Sequence, residues 1–311
     1  MYKILICDPL DETAMANLAE AKDIIYDAIY GQSEADLIKN IPKYNAVIVR
    51  SATTITGKVI DAGENLRAIG RAGSGLDNID TVQAAKKGIK VFNTPGTNAA
   101  AVAELTVGLL FSLARKITEA DVSMKNGQWA KKEFTGFEID GKILGIIGGG
   151  TIGKMVAVKA FRLGMKIVVY NRSEVKIPEI EFEQVSLEKL LKRSDFVSVH
   201  LPKNPETAYL IGEQEFEKIK QGSYLINTSR GGIVSEAALL KALDSGILAG
   251  AALDVFENEP GYDKNLAAHK RVIASPHIGA STTEAQERVG LQIVDKILGH
   301  LRSNYIFISG Q

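Results

Sequence analysis

The stretch Ile143-Leu144-Gly145-Ile146-Ile147-Gly148-Gly149-Gly150-Thr151-Ile152-Gly153 decides the fold. Ile143–Gly148 is a short run rich in isoleucine and leucine, as expected of a strand buried on both faces. Gly148, Gly150 and Gly153 then stand in the G-x-G-x-x-G spacing. The first glycine permits a tight turn, and the second lets a pyrophosphate approach the backbone. The third lets the next helix pack closely on the strand. That helix, Thr151–Leu163, would present free amide groups and its positive dipole end to phosphates. A second strand, Lys166–Tyr170, follows it. The glycines alone are weak evidence, but strand, turn, helix and strand in this order point to a dinucleotide site.

A carboxylate normally follows that second strand and takes the ribose hydroxyls of NAD. Asn171-Arg172-Ser173 stands there instead. Asn171 still hydrogen-bonds a hydroxyl but lacks the charge that repels a 2′-phosphate, and Arg172 is suited to pair with one. The cofactor expected is therefore NAD, with NADP kept open.

Working outward, short β-rich runs alternate with helical patterns along the whole chain, which argues α/β with parallel sheets. Strands are expected at Lys3–Cys7, Ala46–Arg50, Ala68–Arg71 and Lys90–Phe92, with helices such as Glu12–Ala21 and Asp80–Lys87 between them. After Ile143–Gly148 and Lys166–Tyr170 come Phe196–Leu201, Tyr224–Asn227, Ala249–Val255 and Val272–Ser275. Asn98–Lys116 is apolar or small nearly throughout, which predicts a helix buried all round between two halves. Val289, Ile293, Ile297 and Leu301 recur at four-residue steps, which predicts a one-faced C-terminal helix.

Ligands bind at the carboxyl ends of strands in open parallel sheets. Three later strands run into polar residues there: Thr228-Ser229-Arg230, Glu257-Asn258-Glu259 and Pro276-His277. An arginine, a carboxylate and a histidine together suit oxidation of an alcohol beside a carboxylate. The histidine takes the hydroxyl proton, the carboxylate orients and stabilises the imidazolium, and the arginine grips the substrate carboxylate. Chemistry alone does not separate Glu257 from Glu259. Of the other histidines, His269 and His300 are expected at the surface, and His200 as a structural residue ending a buried strand.

The 311 residues suggest two domains, and 37 basic against 37 acidic side chains give no net field for nucleic acid or anionic lipid. Cys7, the only cysteine, reads as a small core residue in a reducing compartment. No stretch is long and apolar enough for a membrane span, nothing reads as a signal peptide or a metal site, and the expected setting is the cytoplasm.

The chain also resembles the D-isomer-specific 2-hydroxyacid dehydrogenases, and within them the phosphoglycerate dehydrogenases. The marks are Val49-Arg50-Ser51-Ala52-Thr53, Gly70-Arg71-Ala72-Gly73-Ser74-Gly75-Leu76-Asp77-Asn78, Asn93-Thr94-Pro95-Gly96 and Met124-Lys125-Asn126-Gly127-Gln128-Trp129. Further on stand Gly141-Lys142-Ile143-Leu144-Gly145-Ile146, Ser229-Arg230-Gly231-Gly232-Ile233-Val234, Leu253-Asp254-Val255-Phe256 and Pro276-His277-Ile278-Gly279-Ala280-Ser281-Thr282.

The resemblance implies two Rossmann-like, doubly wound parallel-sheet domains with a cleft between them. Residues 1–97 with 282–311 would form a flavodoxin-like substrate-binding domain, and 98–281 the nucleotide-binding domain. It implies Arg230, Glu259 and His277 as the catalytic three. Cofactor contacts would include Ser74, Thr151, Ile152, Asn171, Thr228, Asp254 and Gly279, and substrate contacts Arg50, Ser51, Arg71 and Gly73. Arg50 and Arg71 suit a dianionic phosphate. The expected reaction is oxidation of 3-phosphoglycerate to 3-phosphohydroxypyruvate, the first step of serine biosynthesis, by a homodimer without the C-terminal regulatory domains of longer members. Its rivals are a glyoxylate or hydroxypyruvate reductase of the same family and, from another class, a dinucleotide-sensing binding protein of corepressor type.

Overall fold

The computed structural model describes residues 1–306, without the side chains of the last three. In chain order the strands are β1 Tyr2–Ile6, β2 Ile24–Ala28, β3 Ala46–Val49, β4 Ala68–Arg71, β5 Lys90–Phe92, β6 Ile143–Ile147, β7 Lys166–Tyr170, β8 Glu183–Gln184, β9 Phe196–Val199, β10 Ser223–Asn227, β11 Leu248–Leu253 and β12 Val272–Ala274. The helices are α1 Glu12–Glu20, α2 Glu34–Asn40, α3 Gly57–Ala62, α4 Thr81–Lys86, α5 Ala99–Arg115, α6 Ile117–Lys125, α7 Thr151–Arg162, α8 Leu187–Arg193, α9 Glu213–Lys218, α10 Glu236–Asp244, α11 Lys264–Ala267 and α12 Thr283–Ile306. They form two compact units, Met1–Asn98 with the segment from Ser281 onward, and Ala99–Ala280.

The first unit is built on a five-stranded parallel sheet, β2-β1-β3-β4-β5. Successive side chains of a strand point to opposite faces, and both faces are packed. Ile4, Ile6, Ala46, Ile48 and Ala68 meet Val289, Ile293, Ile297 and Leu301 of α12. Leu5, Cys7, Val47, Val49 and Ile69 meet Leu37, Val59, Ile60 and Ala84 from α2, α3 and α4. The four-residue steps read in the C-terminal sequence are thus the buried stripe of α12. Gly70 makes room for it, since a Cβ there would lie 2.9 Å from Ile293 and 3.0 Å from Ile297.

The second unit carries a seven-stranded parallel sheet, β12-β11-β10-β9-β6-β7-β8. Ile147, Val197, Val199, Leu225 and Leu253 face one apolar layer. Leu144, Ile146, Phe196, Ile226 and Ala252 face the other. The chain leaves β6 toward β7 on one side and returns to β9 on the other. Strand order therefore reverses at β6, the position where open α/β sheets bind ligands beyond the strand ends.

Two expectations need correction. Helix α5 buries Ala103, Leu109, Leu110 and Leu113 but exposes Glu104, Gly108 and Arg115. It belongs to the second unit, against α7, β10 and β11, and Glu104 on its open face pairs with Lys159 at 3.1 Å. Small residues such as Gly108 made that face look apolar without making it buried. Edge strands β2 and β8 went unread, because β2 buries only Ile24 and β8 buries nothing. No described helix is long and apolar enough to cross a membrane.

Candidate active site

The turn after β6 is built as the glycine spacing requires. Gly148 adopts φ +106°, and a Cβ there would lie 2.5 Å from the carbonyl oxygen of His200, at the end of β9. A Cβ at Gly153 would overlap the Gly148 carbonyl, so the first turn of α7 lies directly on the loop. Gly150 differs, because a Cβ on it would meet no protein atom within 4 Å. It is the N-cap of α7 and supplies no side chain to the first helical amides, which continue through Thr151 and Ile152. A cradle of backbone donors with one open glycine fits the pyrophosphate of a dinucleotide.

The loop after β7 closes on that turn. Asn171 Oδ1 accepts the N–H of Gly149 at 3.2 Å, and its Nδ2 donates to the carbonyl and hydroxyl of Ser173, both at 3.0 Å. Gln184 of β8 donates to the carbonyls of Asn171 and Ser173 and accepts from the Val175 N–H. Arg172 forms an ion pair with Glu206 on the surface.

Three strand ends then bring polar residues together. After β10, Asn227 accepts from the N–H and hydroxyl of Ser229 and donates to the Arg230 carbonyl at 3.1 Å, which shapes the turn carrying Arg230. Thr228 shares a 2.8 Å hydrogen bond with Thr106 of α5. After β11, the fully buried Asp254 accepts the Ser275 hydroxyl at 2.6 Å and the N–H groups of Ile278 and Gly279 at 2.9 and 2.8 Å. Burial pushes this carboxyl up, against the three hydrogen bonds and the charge of His277. The carboxylate expected at the cofactor thus clamps the loop that holds His277.

His277 sits in that loop at φ +53°, a left-handed backbone uncommon outside glycine. Its Nδ1 lies 2.6 Å from Oε2 of Glu259. The other Glu259 oxygen accepts the Phe256 N–H at 2.9 Å. Burial raises the Glu259 carboxyl, but the bonds from His277 and Phe256 and the charges of His277 and Arg230 outweigh it and hold it below its ordinary value. A carboxylate oxygen only accepts, so Nδ1 donates to it and Nε2 is the ring nitrogen left for a substrate. Glu257 faces elsewhere, accepting from the N–H of Glu236. Of the two carboxylates, it is Glu259 that lies against His277.

The remaining histidines divide differently from expectation. His200 is buried, bonded through Nε2 to Ser198 at 2.8 Å, and burial pushes it down to about 3. His269 and His300 are not free surface residues. His269 accepts from the Arg271 N–H at 3.1 Å and its side chain is 13% exposed. His300 packs edge-on to Phe92 at 5.4 Å. A charged loop in the sequence hid the packing of His269, and the helical position of His300 did not show that it meets Phe92.

In the first unit, Arg50, Ser51, Arg71, Gly73 and Ser74 lie at or just beyond the carboxyl ends of β3 and β4. Val49 and Arg71 are in register on those adjacent strands, and Arg50 stands one residue beyond that pair. The buried Asp8 accepts the N–H groups of Arg50 and Thr53 at 2.5 and 3.3 Å, while Asn78 donates to both carbonyls at 2.7 and 2.6 Å. Neither Asp8 nor Asn78 was singled out in the sequence for holding this loop. Gly73 leaves room for the Arg71 guanidinium, which a Cβ would overlap. The Ser74 hydroxyl donates to Asn98 at 2.9 Å.

Residues 107–279 match the model of the D-isomer specific 2-hydroxyacid dehydrogenase NAD binding domain. A hydroxypyruvate reductase of Thermotoga maritima is 44% identical over 303 residues, 96% of this chain and 98% of its own. D-3-phosphoglycerate dehydrogenase of Homo sapiens is 44% identical over 307 residues, 96% of this chain but only 57% of the human one. A crystal structure of a Thermus thermophilus protein superposes with a TM-score of 0.90 at 32% identity, covering 97% of both chains. The chain belongs to the D-isomer specific 2-hydroxyacid dehydrogenase family.

Membership makes this dehydrogenase an oxidoreductase that uses a nicotinamide dinucleotide, and the Gly148–Gly153 cradle fits that cofactor. No group of side chains among the described residues is arranged to hold a metal ion. Site residues that sequence reasoning missed are supports: Asn227, Asp8, Asn78 and Glu236. Their signal was slight, since a buried polar residue is recognised by what it holds, not by spacing.

Proposed function

We propose that this dehydrogenase oxidises the C2 hydroxyl of 3-phosphoglycerate to 3-phosphohydroxypyruvate, the first step of serine biosynthesis, as a cytoplasmic homodimer. What supports the substrate choice is that Arg50 and Arg71 both come from the carboxyl ends of the adjacent strands β3 and β4. Two guanidinium groups there suit a phosphate dianion, each offering paired charge-assisted hydrogen bonds.

The Gly148, Gly150 and Gly153 turn, with Thr151, Ile152, Asn171, Thr228 and Gly279, would hold the dinucleotide. When bound, the nicotinamide supplies the hydride acceptor. Nε2 of His277 takes the hydroxyl proton, and Glu259 stabilises the imidazolium through Nδ1. Arg230 holds the substrate carboxylate and polarises the C2 oxygen in the reverse direction. Ser51 and the backbone at Gly73 complete the substrate contacts. The cofactor is read as NAD, because Glu206 already occupies Arg172.

A second reading, reduction of unphosphorylated hydroxypyruvate or glyoxylate, is favoured by the Thermotoga maritima relative, matched over 98% of its length. Measuring kcat/KM for phosphohydroxypyruvate and hydroxypyruvate with NADH and NADPH separates the two. The phosphoglycerate reading expects the phosphorylated acid to win, with the advantage reduced in Arg50→Ala and Arg71→Ala. Preference for hydroxypyruvate, unchanged in both variants, overturns it.

A further inference from the structure

Glu257 lies two residues before Glu259 and takes no part in the contact with His277, yet it is tightly held. Its Oε1 accepts the N–H of Glu236, the first residue of α10, at 2.8 Å. The Glu257 N–H donates back to Oε1 of Glu236 at 2.5 Å. Each side chain therefore grips the other's backbone. The clasp joins the start of α10, the helix that follows the Arg230 turn, to the loop that carries Glu259.

Two further features support it. A Cβ at Gly231 would overlap the Phe256 carbonyl and fall 2.7 Å from the Glu257 nitrogen, so the two segments touch backbone to backbone beside the clasp. Tyr209 donates its hydroxyl to the second Glu257 oxygen at 3.3 Å and its N–H to the Gly232 carbonyl at 2.8 Å. It does so at φ +52°, a left-handed conformation that is unfavourable for tyrosine. Burial, followed by the negative charges of Glu257, Asp263 and Glu259, pushes Glu236 up despite the bond it receives. A strained tyrosine and two like-charged carboxylates are unfavourable separately; together they fix the spacing of two loops.

We propose that Glu257 and Glu236 are positioning residues, whose reciprocal clasp sets Glu259, and through it the His277 imidazole, against the turn bearing Arg230. This rests on the reading that His277, Glu259 and Arg230 carry the reaction. The alternative is that Glu257 only stabilises the start of α10, as an anion at a helix N-terminus does.

The test compares Glu257→Ala and Glu257→Gln in the full chain, with steady-state kinetics and backbone hydrogen exchange. Displacing a reacting group slightly costs up to about a hundredfold, so Glu257→Ala should lose roughly tenfold in kcat while the KM for the dinucleotide stays within about twofold. Glu257→Gln should recover most of that loss, because its carbonyl oxygen still accepts the Glu236 N–H. A Glu257→Ala enzyme with wild-type kcat, or a Glu257→Gln enzyme as slow as the alanine variant, overturns the proposal. Hydrogen exchange over residues 230–236 and 254–260 should speed up in Glu257→Ala whether or not the substrate is known. Unchanged exchange there removes the clasp itself, whereas a wild-type enzyme inactive on every 2-oxo acid removes only the reading it rests on.

Discussion

His277 and Glu259 come from different loops, after β12 and β11, and meet at 2.6 Å through Nδ1 and Oε2. Each is half-exposed, at 38% and 35% of its side chain, so the pair is open to a ligand without being surrounded by water. Because Nδ1 is committed, removing the ring should abolish proton removal: His277→Ala is expected to lower kcat by about two to four orders of magnitude. Glu259→Gln keeps an acceptor but loses the charge. A hydrogen bond to a charged group contributes roughly 1.5–3 kcal/mol, and tenfold in rate is about 1.4 kcal/mol, so a loss of about ten- to a hundredfold is expected. Either variant turning over at the wild-type rate would remove that residue from the mechanism.

The proposed preference for NAD rests on Arg172 and its partner. Its partner Glu206 neutralises it and adds a negative charge where a 2′-phosphate would seek a positive one. The wild-type enzyme should therefore prefer NAD over NADP in kcat/KM. Glu206→Ala should narrow the gap by about tenfold, since surface pairs are worth up to roughly 1 kcal/mol and a freed arginine adds a phosphate contact. Adding Arg172→Ala to that variant should restore the preference. A ratio unmoved by Glu206→Ala would mean that neither residue reads the ribose.

His200 predicts a pH dependence of stability. Burial holds its folded value near 3, against an ordinary 6.5. Above 6.5 the ring is neutral in both states and its contribution is fully present. As pH falls from 6.5 toward 3, the unfolded chain takes a proton that the folded one refuses, and stability is lost. One such group gives a slope of about 1.4 kcal/mol per pH unit at most. Urea unfolding of wild type and His200→Gln between pH 7 and 4 should diverge by up to that slope, the variant being flatter. Parallel curves would mean that the ring is hydrated when folded.

Much of this architecture was legible because parallel strands buried on both faces must be apolar nearly throughout, as Ile143–Ile147 is and as Phe196–Val199 is but for Ser198. The glycine turn was legible because its spacing has a steric cause at Gly148 and Gly153. What stayed hidden lacked burial or periodicity. Edge strand β8 is two exposed residues. The division of labour between Glu257 and Glu259 depends on which way a loop turns, and no pattern two residues apart encodes that. Asp8 and Asp254 act by gripping backbone atoms distant in sequence, which becomes visible only when the chain is folded.

The glycine turn also separates a folding requirement from a binding one. At Gly153 a methyl group would overlap the Gly148 carbonyl and crowd Ile146 at 3.2 Å, so Gly153→Ala must push α7 away from the sheet. Overpacking of this kind costs about 1–3 kcal/mol, and each 1 kcal/mol lowers Tm by roughly 2–4 °C in a unit of this size. Gly153→Ala should therefore lower Tm by several degrees as well as weaken dinucleotide binding. At Gly150 the same methyl group would meet no protein atom within 4 Å, and φ is −75°, which alanine adopts without strain. Its cost to the fold should stay within about 0.5 kcal/mol, while the methyl stands where the pyrophosphate must approach. Gly150→Ala should keep its melting temperature and still raise the Kd for NADH by about tenfold or more. Fluorescence titration with NADH beside thermal unfolding decides it, and unaltered affinity in Gly150→Ala would move the phosphates away from this turn.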